Sequence, residues 1–270
     1  MKKTSSIPVR VIRCLRVGLL ILSGISTVAV IFPFIDEAQR LARKRHWSGR
    51  MLHALAIRVD GQVGDVSPGT LFVGNHISWL DIFALNAVRP VSFVTKSEVR
   101  SWPLFGWLVA NSGNLFIRRG YRQDAIEACK VLSEHLKSGR DVAIFPEGTT
   151  SDGRQLLEFR GGLLQSAIDC NKPVQPLALA YYDNEGERTT IAAYAGKISM
   201  VESLMAVLSC TSLTISLTAL PLVDTQGRER KELAVAIRQS IARQLGLSEE
   251  LPDEVGKRFL PECLQSKKQQ

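Results

Sequence analysis

Two short stretches of this 270-residue chain carry side chains of the kinds that move protons and hold oxygen-rich ligands. The first is Asn75-His76-Ile77-Ser78-Trp79-Leu80-Asp81, directly after the apolar run Thr70–Gly74. Imidazole titrates near neutrality, so a histidine at the mouth of a strand is suited to general-base work. Asp81 follows five residues later, a spacing that one continuous helix would splay by about 140°. A loop followed by a helix start instead lets the carboxylate turn back on the ring. It then fixes the tautomer and leaves the other nitrogen to take a proton from a hydroxyl. The second stretch is Phe145-Pro146-Glu147-Gly148-Thr149-Thr150-Ser151-Asp152-Gly153. A turn rich in Gly, Thr and Ser presents backbone N–H groups and hydroxyls, which suits an anion or a polyol. Between the two, residues 89–122 hold Arg89, Lys96, Arg100, Arg118, Arg119 and Arg122 against Glu98 alone, mixed with Trp102, Phe105, Trp107 and Phe116. Guanidinium groups there are suited to phosphate. Each stretch also has a plain reading: a helix N-terminal charge, an ordinary strand-to-loop turn, a solvated basic face.

The elements that must position these groups alternate. Strands are expected at Thr70–Gly74, Val91–Thr95, Asn114–Ile117, Asp141–Phe145, Val174–Tyr181 and Thr211–Leu220. Helices are expected at Ser78–Ala87 (with Ser78 as N-cap), Gln123–Lys137, Gly162–Asp169, 199–208 and Lys231–Leu245. Such alternation implies an α/β fold, a mainly parallel central sheet flanked by helices, with sites gathering at the strand C-termini. Gly-x-Ser-x-Gly, Walker A, Gly-x-Gly-x-x-Gly and His-Glu-x-x-His motifs are all missing, which removes four large enzyme classes. The five cysteines are widely spaced without a Cys-x-x-Cys, so neither a disulfide framework nor a zinc site is expected.

Charge is distributed unevenly. Ten Lys/Arg and two acids lie in residues 1–50, while 51–270 carry 24 of each sign. A nucleic-acid partner would require a basic surface on the folded body, so none is expected. Within the basic end lie 19 uncharged residues, Val17 to Ile35, which as helix would span roughly 28 Å. No small-x-small cleavage site follows, against a signal peptide. A single spanning helix and a membrane-embedded hairpin, its second helix returning near Trp47–Ile57, both fit. Equal basic flanks, five residues on each side, leave the choice between them open.

Taken together, these motifs resemble those of the glycerolipid (lysophospholipid) acyltransferase family, typified by 1-acylglycerol-3-phosphate acyltransferases. The likeness spans about residues 70–180. Asn75–Asp81 looks like the family's His-x4-Asp motif, and Phe116-Ile117-Arg118-Arg119 like its Phe-Ile-x-Arg block. Phe145-Pro146-Glu147-Gly148-Thr149 looks like its Phe-Pro-Glu-Gly-Thr block, and Lys172-Pro173-Val174-Gln175-Pro176-Leu177 like its last. The resemblance implies catalytic His76 and Asp81, with Arg119, Glu147, Gly148 and Thr149 binding the acceptor. It implies acyl-CoA or acyl-carrier protein as donor, a lysophospholipid acceptor, no metal and no bound cofactor. It also implies work at a membrane surface, on the cytoplasmic face of the inner membrane. Thr150 stands where the best-known members carry Arg, and Gln175 replaces an apolar residue. Both bear on the acceptor headgroup, so a lyso-aminolipid of the lyso-ornithine type is the alternative acceptor, and a catalytically silent lipid-binding relative the alternative role. The expected division is an anchor over 1–57, an acyltransferase domain over 58–248 and a polar tail over 249–270.

Overall fold

A computed structural model describes residues 4–118 and 122–251. Seven strands form one sheet: β1 (Ile57–Asp60), β2 (Leu71–Gly74), β3 (Ser92–Lys96), β4 (Leu115–Ile117), β5 (Val142–Ile144), β6 (Val174–Tyr182) and β7 (Leu213–Ala219). Their spatial order is β1-β7-β6-β2-β5-β3-β4, and every neighbouring pair is parallel except β6 and β7. All of β2 and β5 is buried, and all of β6 except its last residue. Strands without a polar face need a helical layer on each side. Phe72, Leu177 and Leu217 pack with Leu80, Leu85 and Val207, from α3 (Leu80–Val88) and α7 (Met200–Ser209). Leu71, Val73 and Ile144 pack on the other face with Leu132, Leu136, Ala167, Leu233 and Ile237. Those side chains come from α5 (Arg122–Lys137), α6 (Gln165–Asp169) and α8 (Arg230–Leu245), while α4 (Phe105–Asn111) lies in the β3–β4 connection. The expected mainly parallel α/β architecture is the one observed.

The stretch 162–169 opens with a 3₁₀ turn, Gly161–Leu164, before α6. A Cβ on Gly161 would lie 2.6 Å from the Arg230 carbonyl oxygen, so the chain approaches α8 there only because Gly has none.

At the N-terminus, α1 (Ile7–Ser26) continues through a π-helical turn (Thr27–Ile31) and a 3₁₀ turn around Pro33. Together Ile7–Phe34 form a 28-residue helical stretch of mean hydropathy 2.2, the one stretch among the described residues long and apolar enough to cross a membrane. Asp36 then caps α2 (Glu37–Ala54), accepting the Gln39 N–H at 2.8 Å. This second helix begins ten residues before the expected 47–57, because the cap and not the apolar content marks its start. The two helices form a hairpin. Trp47 Nε1 donates to the Leu20 carbonyl at 2.8 Å, and its ring lies where a Cβ on Gly24 would be only 3.0 Å away. Val17, Leu20, Gly24, Val28 and Phe32 recur every three or four residues and make the buried stripe. On the outer side, Leu15, Leu19, Leu22, Val30 and Phe34 are 62–85% exposed.

The hairpin lies along the body and does not project from it. Ser5 Oγ donates to the Leu208 carbonyl at 2.7 Å, and the Arg13 guanidinium donates to the Cys210 and Thr211 carbonyls at 2.6 and 2.9 Å. On α2, Lys44 Nζ reaches the Val91 carbonyl at 3.0 Å, and Met51 and Leu52, with Leu55 just past the helix end, join the core beneath β1 and β7.

Candidate active site

His76 lies two residues past the end of β2, and Glu147 three residues past the end of β5. These strands are parallel neighbours, so their carboxyl ends open on the same edge of the sheet. There Asp81 Oδ2 accepts from His76 Nδ1 at 2.8 Å and from the backbone N–H groups of Ile77 and Ser78 at 2.8 and 2.9 Å. Asp81 Oδ1 accepts the Tyr181 hydroxyl at 2.5 Å. An ionised carboxylate only accepts, so this geometry assigns the proton to Nδ1 and leaves Nε2 as the basic nitrogen. The Asp81 side chain is fully buried, whereas that of His76 is 19% exposed. His76 stacks on Phe145 with ring centroids 4.1 Å apart and planes 4° apart, which fixes its rotation.

Ser78 was expected to cap the helix carrying Asp81, and it does not. The helix starts at Leu80, and Asp81 in its first turn folds back onto the preceding N–H groups. One carboxylate therefore both closes the loop and orients the imidazole.

Glu147 was expected to bind the acceptor. Its carboxylate instead turns inward, with Oε1 accepting the His76 N–H at 2.8 Å and Oε2 the Leu157 N–H at 3.1 Å. At 2% exposure both oxygens are engaged by backbone that must stay in place. The Ser151 N–H donates to the His76 carbonyl at 2.8 Å, so the second motif grips His76 through both its N–H and its C=O. Gly148 at φ +74° makes the turn, leaving Gly148 and Thr149 partly exposed beside it. The Thr150 hydroxyl donates to the Tyr194 carbonyl, and the Tyr194 N–H donates to the Ile77 carbonyl at 2.9 Å. Gly153, at φ +78°, leaves room for Ile77, whose Cδ1 would be 2.9 Å from an added Cβ.

Burial raises the Glu147 pKa from 4.5 to about 7, against the two N–H bonds that lower it; Asp81 adds a smaller upward push and Arg238 a smaller downward one. The folded protein therefore keeps a proton that the unfolded chain releases between those values, and stability falls as pH rises through that window. At about 1.4 kcal/mol per unit the loss is roughly 3 kcal/mol. Urea unfolding across pH 4.5–7.5 is expected to show that decline in the wild type and a flatter profile in Glu147→Gln. Equal slopes would assign the decline to other groups.

Three residues at the site were given no role of their own from the sequence. The Asn75 side chain accepts the Leu179 N–H at 2.8 Å and donates to its carbonyl at 3.0 Å, tying the loop to β6. Tyr181 is the last buried residue of β6. Arg238, on the buried side of α8, donates to the Leu156 and Leu157 carbonyls at 2.8 and 3.0 Å and holds the segment that leads from Glu147. A single Arg among Leu233, Ala234, Ile237, Ile241 and Ala242 was the trace it left.

The basic stretch divides. Arg89 is paired to Asp141 at 2.7 Å, and Asp141 also accepts the N–H groups of Gly69 and Thr70. That cluster lies at the amino end of β5, away from the His76 edge, so Arg89 is no phosphate ligand of the site. Lys96 and Arg118 are exposed at the carboxyl ends of β3 and β4, and the Arg100 guanidinium lies 5.8 Å from the Phe116 ring centroid. Arg119 lies outside the described residues. Gln175 is also remote: near the start of β6 it donates to the Leu220 carbonyl at 2.5 Å and bridges to the segment after β7. Among the described residues no three His, Cys, Asp or Glu side chains cluster as a metal site would require.

A mainly parallel sheet with a His-x4-Asp pair seated against a Pro-Glu-Gly-Thr turn defines an acyltransferase domain. The chain belongs to the acyltransferase family, whose model matches residues 56–180, and is an O-acyltransferase. It is 39% identical over 191 residues to a 1-acyl-sn-glycerol-3-phosphate acyltransferase of Neisseria gonorrhoeae, covering 69% of this chain and 74% of that one. It is 38% identical over 205 residues to a lyso-ornithine lipid O-acyltransferase of Pseudomonas aeruginosa, covering 75% and 77%. The fold is that of the crystal structure of the 1-acyl-sn-glycerophosphate (LPA) acyltransferase PlsC from Thermotoga maritima, with TM-score 0.61 and 21% identity over 87% of this chain and 96% of that one.

Proposed function

We propose that His76 Nε2 takes the proton of a lysolipid hydroxyl as that oxygen attacks the thioester carbonyl of acyl-CoA or acyl-carrier protein. The C–O bond forms, the C–S bond breaks, and the proton passes from His76 to the departing thiolate. The observation that carries this reading is the Asp81-held imidazole with its second nitrogen left basic at the sheet edge. The thioester is already activated, so a base and alignment suffice without a covalent enzyme intermediate. Gly148 and Thr149, at the exposed side of the turn, contact the acceptor's oxygens. Arg119 pairs with its headgroup, and Glu147 serves by holding His76. Residues 1–57 form the membrane-binding part, 58–248 the catalytic domain and 249–270 the polar tail. Ser5 and Arg13 tie the start of α1 to the body and Trp47 ties it to α2, which supports an outer face lying in one leaflet without crossing it; the leaflet in this reading is the cytoplasmic one of the inner membrane.

The first acceptor proposed is 1-acyl-sn-glycerol-3-phosphate, giving phosphatidic acid. A second reading, a lyso-ornithine lipid, is favoured by Thr150. A neutral side chain, with its hydroxyl engaged by Tyr194, stands where the family's best-known members carry Arg. Purified protein with labelled acyl-CoA and acyl-carrier protein, offered both acceptors in competition, separates the two by lipid chromatography. If the phosphate acceptor is used, Arg119→Ala is expected to raise its KM about 30-fold or more while the donor KM stays constant. Equal effects on both substrates would remove Arg119 from the headgroup. Release of free thiol without acceptor would indicate a thioesterase, and no release with any acceptor a silent lipid-binding relative.

A further inference from the structure

We propose that Tyr181 is a positioning residue of the transfer reaction: its hydroxyl, by donating to Asp81 Oδ1, sets how strongly Asp81 draws on the His76 ring and thereby the pH at which His76 becomes a base. The inference rests on the reading of His76 as general base.

Asp81 accepts four hydrogen bonds. Three come from within its own loop, from His76 Nδ1 and the N–H groups of Ile77 and Ser78. The fourth comes from β6, 100 residues further along the chain, at 2.5 Å. Tyr181 is itself buried, so its hydroxyl is fixed in a site where an unpartnered donor would be costly. Burial first, and then the Asp81 charge, push the phenol pKa well above its ordinary value. The group therefore remains a donor wherever the enzyme works. Four donors spread the carboxylate charge, and each one added leaves less of it for the imidazole. With the phenol gone, the charge concentrates on the remaining three and the His76–Asp81 pair binds its proton more tightly.

Of the other charged groups, Glu147, from the turn after β5, faces Asp81, and Arg238 of α8 in turn faces Glu147. Neither is altered by a change at Tyr181. Because the hydroxyl acts on Asp81, its loss is expected in the pH dependence and not in KM.

The test uses the full chain in lipid micelles, with acyl-CoA and whichever of the two lyso-acceptors it turns over. The acid limb of kcat/KM is measured for wild type, Tyr181→Phe and His76→Ala. In parallel, the His76 ring is titrated by NMR with ¹³C-labelled histidine, its signal assigned by its loss in His76→Ala. For Tyr181→Phe, the limb and the ring titration are both expected to move upward by about one pH unit, with up to tenfold less activity on the acid side and both KM values within twofold. A trifluorotyrosine at position 181 is a stronger donor and keeps the ring's packing, so it is expected to move both midpoints downward. Midpoints unmoved in both variants, with only a lower plateau, would reduce Tyr181 to a packing residue and overturn the inference. Wild-type activity in His76→Ala would overturn the general-base reading itself, a result distinct from any obtained at Tyr181.

Discussion

Replacing His76 by alanine is expected to lower acyl transfer by about 10²- to 10⁴-fold, the usual worth of a positioned general base. The loss should appear in kcat with either donor, because deprotonation of the acceptor hydroxyl is common to both. The fold should survive. Asp81 loses one donor and keeps the Ile77 and Ser78 N–H groups and the Tyr181 hydroxyl, while the backbone of residue 76 still bonds Glu147 and Ser151. Vesicle flotation should therefore match the wild type, since the helical hairpin contains none of these groups. Labelled-acyl transfer measured beside flotation separates the two functions, and near-normal turnover would remove His76 from the mechanism.

The second large effect is expected on the outer face of α1. Leu15, Leu19 and Leu22 are 63, 67 and 62% exposed, while the inward stripe through Val17, Leu20 and Gly24 holds the helix to the protein. Changing the three leucines to serine leaves that stripe intact. Each exposed leucine surface contributes about 1–2 kcal/mol on entering hydrocarbon, so the triple change costs about 4 kcal/mol of membrane affinity. That corresponds to roughly a 10³-fold weaker partition into vesicles. Binding that remains should depend on salt, because exposed Arg16, Arg40, Arg43 and Arg50 each contribute about 1 kcal/mol near an anionic surface. Turnover of a short-chain, water-soluble acceptor should be preserved, which tests the fold in the same preparation. Unchanged co-sedimentation with vesicles would show that bilayer contact is made elsewhere.

What could be read from the residues alone was local. His76 and Asp81 are five positions apart, and the only loop-and-helix geometry that uses both brings them together. The alternation of apolar runs and amphipathic stretches marked six of the seven strands and five helices of the body within a few residues, because burial of one face leaves its period in the chain, while β1 and α4 went unmarked and α2 was placed ten residues late. The uncharged N-terminal run, with its basic flanks, was equally plain. Spacing could not tell which polar groups face water and which face a buried backbone N–H. Glu147 looked like a ligand-binding residue and Ser78 like a cap. Only the parallel pairing of β2 with β5 brings the Glu147 carboxylate onto the His76 N–H, 71 residues away. The same sheet order carries Tyr181 to Asp81, leaves Gln175 near the far end of β6, and leaves Arg89, just past α3, paired to Asp141 at the amino end of β5. The hairpin was likewise decided by the body it rests on, through Arg13 and Trp47. A chain's short-range preferences set its elements, whereas the partners of a buried charge depend on which distant strands lie side by side, and that is a property of the packed structure.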